Sequence, residues 1–268
     1  MTGARFLAAS LALAAAGGPS SPAHAGFDDP GLLPSEMVAW ATGVDETVRG
    51  PQDIANPTGP LASLGMPVMA LGPAAFDNMD VVSLGDGGHI TVTFDEPIVD
   101  LEGDDFAVFE NGFFSGPGLF AEFAFIEVSS DGVSFARFPS ETLNMTPVPS
   151  FAVIDPFDYD FAGDQPLGLG TGFDLADLAG DPLVVAGTVD LFDVAFVRVV
   201  DVVGNGSTVD AFGAPVYDPY PTAFPSGGFD LDAVGVVHPL PEPGAATGLA
   251  ASGLVLLVLH GRRRIRGC

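Results

Sequence analysis

Through the middle of the chain, apolar and polar residues alternate with a period of two in short runs, and glycine or proline closes nearly every run. His89-Ile90-Thr91-Val92-Thr93-Phe94 alternates cleanly, which places Ile90, Val92 and Phe94 on one face of a strand and the threonines on the other. Asp105 to Glu110 reads Asp-Phe-Ala-Val-Phe-Glu, apolar on both faces, as a strand inside a core requires. Ala121 to Ser129 and Val133 to Phe138 flank Ser130-Asp131-Gly132, a hairpin signal. Val194 to Val203 and Phe229 to Val237 are further strands, the second launched from Pro225-Ser226-Gly227-Gly228. The segment 140–187 carries five prolines among acidic and aromatic residues and reads as long loops, with one helical turn near Phe173 to Leu178. The pattern predicts an all-β, antiparallel β-sandwich in a single domain spanning residues 26–240.

The two ends follow a different pattern. Arg5, the apolar stretch Phe6 to Ala16, the breaker Gly17-Gly18-Pro19 and the small-x-small triplet Ala23-His24-Ala25 before Gly26 have the layout of a secretory signal peptide, residues 1–25. Signal peptidase is then the expected processing partner, cutting between Ala25 and Gly26. At the other end, Pro241-Glu242-Pro243 precedes the uncharged stretch Gly244 to Leu259, which is followed by Arg262, Arg263, Arg264 and Arg266. As a helix that stretch measures about 24 Å, short for a hydrocarbon core of about 30 Å, so it spans with thinning or snorkelling. The four arginines hold its C-terminal end in the cytoplasm and leave the rest of the chain on the far side.

Composition sharpens the picture of the middle segment. The chain holds 35 acidic and eight basic residues, with no lysine; between residues 26 and 240 the basic residues are Arg49, Arg137 and Arg198. Such a surface repels nucleic acid and attracts divalent cations. The single cysteine, Cys268, excludes an intrachain disulfide and a thiolate zinc cluster. Without lysine, Schiff-base chemistry and a P-loop are excluded. His89 and His238, the histidines of this segment, lie in no nucleophile elbow, so no catalytic residue is assigned and the protein is expected not to be an enzyme.

Acidic side chains in turns supply the oxygens that a hard cation needs, and a structural Ca²⁺ is the expected cofactor. Its candidate ligands are Glu110 with Asn111 at a strand end, Asp201 within Val199 to Val203, and Asp230 with Asp232, which an extended strand would project to one face. Arg198 and Arg137 are the cations expected to pair with a buried carboxylate of that set. Carboxylate pairs drawn from Glu110, Glu122, Glu127, Asp230 and Asp232 also open a glycoside hydrolase alternative. The 22 phenylalanines read as core, and Tyr217-Asp218-Pro219-Tyr220-Pro221 is the best exposed aromatic patch.

Two parts of the chain resemble known families. Pro241-Glu242-Pro243, the short span and the arginine-rich end resemble the PEP-CTERM sorting signal of Gram-negative bacteria, residues 241–268. The resemblance implies recognition by an exosortase-type membrane protease or transpeptidase. It also implies transient anchoring in the inner membrane, then release or attachment at the cell surface, often in exopolysaccharide producers. In the middle, four blocks, Val81 to Ile90, Asp105 to Asn111, Glu127 to Gly132 and Phe224 to Val234, look like signature blocks of a secreted bacterial cell-surface domain. The Val-Ser-Ser-Asp-Gly-Val-x-Phe hairpin is similar to those of galactose-binding-like, discoidin-type jelly rolls, which implies a jelly-roll-like sandwich. The expected function is therefore a non-enzymatic structural or adhesive role outside the cell, with Ca²⁺-dependent exopolysaccharide binding as the alternative.

Overall fold

The computed structural model describes residues 30–238 apart from Phe76 and Asn78. The signal-peptide residues Ala23, Ala25 and Gly26 and the sorting residues Pro241, Glu242, Pro243, Arg262, Arg263, Arg264 and Arg266 lie outside the described residues. Among the described residues no helix is long and apolar enough to cross a membrane.

Ten strands build the body: β1 (Ala39–Trp40), β2 (Gly43–Val48), β3 (Val82–Ser83), β4 (His89–Ile98), β5 (Phe106–Glu110), β6 (Ala124–Ser129), β7 (Ala136–Arg137), β8 (Gly170–Phe173), β9 (Val194–Asp201) and β10 (Asp230–Val236). One antiparallel sheet runs β1-β10-β5-β8, with β3 also on β10, and the other runs β2-β4-β9-β6-β7. From β3 onward every connection crosses to the opposite sheet except the β6–β7 hairpin.

The cross-strand register shows why the two sheets share one core. In the second sheet Val92, Val197 and Val128 stand side by side, as do Ile90, Val199 and Ile126, and all are buried. Phe106, Val108, Leu231, Val234 and Val236 of the first sheet join these rows in one hydrophobic cluster. Such β-branched rows fill a pleated face with little rotamer loss, and their burial removes apolar area from water. Phe106 anchors the layer, stacked on Phe173 at 5.3 Å and edge-on to Phe138 at 5.8 Å.

The outer face of the second sheet carries the charge. Glu46, Thr91, Arg198, Glu127 and Arg137 form one lateral row across five strands. Arg198 lies 3.6 Å over the Phe135 ring and donates to Thr91 Oγ1, while Arg137 pairs with Glu127 at 2.7 Å. The expectation that Arg198 and Arg137 face a buried carboxylate of the Asp230 segment is therefore corrected: strand alternation turns both outward.

Two further departures have local causes. The β6–β7 hairpin closes through a longer loop, because the Asp131 carboxylate accepts from Val133 N and Ser134 N and the second strand starts only at Ala136. The region 140–187 holds short pairings, Glu141–Thr142 with Tyr159–Asp160 and Val148–Pro149 with Pro219–Tyr220, over a second cluster centred on Phe123, Tyr159 and Phe161. Its expected helical turn is a 3₁₀ turn, Leu175–Leu178, capped by Asp174.

Phe106→Ala removes the anchor of the shared core and is expected to cost about 3–5 kcal/mol of unfolding free energy. Val133→Ser, at a residue 83% exposed, should stay within about 0.5 kcal/mol. Guanidinium unfolding of both variants measures the contrast.

Candidate functional site

The first sheet ends in loops that enclose a cavity of about 440 Å³. Glu110 and Asn111 arrive from the end of β5, Asp230 from the start of β10, Glu122 from the segment entering β6, and Thr222 from the chain before Phe224. Two glycine-bearing loops brace this floor. Gly228, at φ 73°, abuts the backbone of Gly85, at φ 74°, and a Cβ there would lie 2.7 Å from Gly85 N and from Asp201 Oδ1. Gly85 N donates to Gly227 O and Leu84 N to Phe229 O, which locks the loops together. Residues of the blocks Asp105 to Asn111 and Phe224 to Val234 line this cavity, and the block Val81 to Ile90 packs behind them through Gly85 and through the Ser83 hydroxyl on Asp230. Glu127 to Gly132 belongs elsewhere, with Ser130 bonded to the Asp190 carbonyl.

The floor is acidic and buried. Glu110, Glu122 and Asp230 are 4%, 7% and 7% exposed, and among the described residues none of them forms an ion pair. Glu122 Oε1 accepts from Thr222 Oγ1 and, at 3.3 Å, from Gly228 N. Glu110 Oε2 accepts from Gly112 N. Asp230 accepts from Ser83 Oγ and, at 3.1 Å, from Asn111 Nδ2. Arg49 is the neighbouring cation, but its guanidinium donates to the carbonyls of Leu64, Ser83 and Gly65.

Burial pushes Glu110 and Glu122 well above the usual carboxylate range, reinforced by Asp230 beside Glu110 and by Asp218 beside Glu122. Burial also raises Asp230, to about 6, with Ser83, Asn111 and Arg49 acting in the opposite direction.

Of the expected cation ligands, the structure brings Glu110, Asn111 and Asp230 to this cavity. Asp201 lies behind it, accepting from Phe229 N at 2.6 Å and Gly87 N at 2.8 Å. Asp232 does not join them. A bulge between Leu231 and Ala233 breaks the alternation, and both Asp232 oxygens accept from Ala75 N. The described residues offer one trio of acidic ligand atoms within 4.8 Å of one another, Asp100, Asp105 and Asp174, near the other end of β5. Sequence reasoning did not single out that trio. Two of its carboxylates hold loop N–H groups: Asp105 those of Leu101 and Leu175, and Asp174 that of Ala176.

The rim is aromatic, and the sequence reading missed it by assigning the phenylalanines to the core. Phe113 stacks on Phe120 at 5.2 Å, Phe120 on Phe151 at 6.4 Å, and Phe151 meets Phe224 edge-on at 5.7 Å. Phe151 holds φ 58°, a left-handed conformation that a bulky residue rarely adopts, with its ring 59% exposed. The Tyr217 to Pro221 patch is not an open platform. Asp218 and Pro219 are buried, Tyr159 donates to the Tyr217 carbonyl, and Tyr220 donates to Asp53. No protein-family model matches the chain, and no curated protein matches it.

The raised carboxylates fix the sign of the pH dependence. Between the ordinary value near 3.8 and about 6 the folded Asp230 and Asp105 keep protons that the unfolded chain has released, so stability falls as pH rises through that window. Glu110, Glu122, Asp201 and Asp218, also raised, extend the fall to higher pH. Calorimetric melting at intervals from pH 4 to pH 8 should show a falling midpoint, and Glu122→Gln should flatten the upper part of the curve. A midpoint that climbs steadily across this range would contradict the burial argument.

Proposed function

We propose that the chain is an exported, non-enzymatic binding module of the cell surface or extracellular matrix, which holds a small ligand in the cavity at the end of its sheets. The cavity carries this reading: about 440 Å³ with three buried carboxylates on its floor and four phenylalanine rings at its mouth. A concave site with a mostly apolar lining and a few convergent polar groups of perturbed acidity is the form that ligand sites take. The fold reading is a jelly roll, supported by the chain crossing between sheets at every step from β3 to β10 but one. Export rests on the sequence of the two ends, a signal-peptide layout and a PEP-CTERM-like tail, with an exosortase-type enzyme as processing partner.

Exopolysaccharide is the ligand class favoured by this export route, with the rim rings stacking on sugar faces and the floor accepting hydroxyl hydrogen bonds. Ca²⁺ enters as a structural ion, not as a part of the cavity: the floor carboxylates already hold N–H and O–H donors, and among the described residues only the Asp100, Asp105 and Asp174 trio converges. Glycoside hydrolysis is the second reading, favoured by Glu110 and Glu122 lining one cavity.

The mass of the protein recovered from its native host tests export. It is expected to lack residues 1–25 and the tail beyond the Pro-Glu-Pro segment, and retention of both ends removes the sorting reading. A glycan array with the full chain, with and without EDTA, tests binding. Signal lost in Phe224→Ala but kept in EDTA places recognition in the cavity without calcium. Release of reducing ends that disappears in Glu110→Gln would replace the binding module by a hydrolase.

A further inference from the structure

The cavity sets two unlike surfaces against each other, and their combination narrows the ligand. Glu122 and Asp230, each more than nine-tenths buried, face it without a cation within ion-pair distance, because Arg49 spends its donors on three carbonyls. A carboxylate taken from water needs a cation or a proton. The mouth above it is dominated by π faces, with Phe113, Phe120, Phe151 and Phe224 running ring to ring and no further carboxylate beside them.

A hydrated divalent ion fits this poorly. Calcium requires about six to eight oxygens around it, whereas Glu110, Glu122 and Asp230 contribute no trio of oxygens within 4.8 Å. A neutral apolar ligand fits the rim and leaves the acidic floor without a cation. A cation clad in carbon satisfies both surfaces, since aromatic faces attract an alkylated ammonium and its weak hydration makes entry inexpensive.

We propose that the cavity binds an organic ammonium ion, its charge set toward Glu122 and Asp230 and its alkyl body against the phenylalanine rim. This rests on the reading of the cavity as a binding site and, on the cavity's own chemistry, assigns it a ligand other than the exopolysaccharide favoured by the export route. Phe151 is the closing ring: it links the Phe113–Phe120 stack to Phe224, and its left-handed backbone holds it there.

Isothermal titration of the full chain with choline, and with the dimethylbutanol in which carbon replaces the ammonium nitrogen, isolates the charge. Choline is expected to bind about tenfold or more tighter than its isostere, the worth of one desolvated cation–π contact. Phe151→Gly, which tolerates the left-handed backbone, and Glu122→Gln, which keeps the hydrogen-bonding shape, should each weaken choline by about tenfold while far-UV circular dichroism is unchanged. Equal affinity for the two probes, or full choline affinity in both variants, overturns the ammonium assignment. If a glycan then still binds in a Phe224-dependent way, the cavity remains a binding site for another ligand. If neither choline nor any glycan binds, both readings fall.

Discussion

A carboxylate moved out of water must be given a hydrogen bond, a proton or a cation, and this chain moves at least five of them to one end of its sheets. Glu110, Glu122, Asp201, Asp218 and Asp230 are all buried there. Each is answered locally by N–H or hydroxyl donors from a loop: Gly112, Thr222, Gly87, Phe229, Phe123 and Ser83. The loops that leave the sheets are therefore ordered by acids, not by regular pairing. Hydrogen bonds ease the desolvation of a carboxylate, and the direction of the acidity shifts shows that burial remains the larger effect.

The distribution of the three arginines among the described residues leaves that end without an ion pair. Arg137 and Arg198 are committed to the outer row of the second sheet, where Phe125 and Phe135 lie under their guanidinium groups and Glu127 bridges them. Arg49 reaches the acidic end but ties the carbonyls of Leu64, Ser83 and Gly65, acting as a strut. Exposed pairs such as those of Arg137 contribute little stability. Their effect here is on the electrostatic field, because arginines committed to the outer row leave the floor carboxylates without an ion pair.

Much of this was legible in the sequence where one strand's own alternation decides the outcome. His89 to Phe94, Asp105 to Glu110 and Val194 onward are strands as the period predicts, and Ile90 and Val92 lie in the core. The meeting of Glu110, Asn111 and Asp230 has a topological cause: Glu110 closes β5, Asp230 opens β10, and the two strands pair antiparallel with Leu231 opposite Glu110. Asp232 departs because a bulge shifts the period by one residue, which no local composition signals. The rim was invisible for a different reason. Phe151 and Phe224 are exposed through loop paths set by contacts distant along the chain, Phe113 lies on a three-residue strand paired with Gly118–Phe120, and a phenylalanine in such short segments looks the same in sequence whether it faces inward or out.

Gly85 and Gly228 meet backbone to backbone with no side chain between them, so nothing in that contact can be resized without prising the loops apart. The rim rings, by contrast, sit on loops and on the short pairing of Phe113–Ser115 with Gly118–Phe120, and Phe113, Phe151 and Phe224 are each more than half exposed. Variation is thus partitioned by the packing: the bottom of the cavity is frozen, while its mouth is free to drift. Related chains built on this plan would diverge in the lining of the mouth sooner than in how they fold, and a combinatorial library at Phe113, Phe151 and Phe224 would vary the rim on an unaltered scaffold.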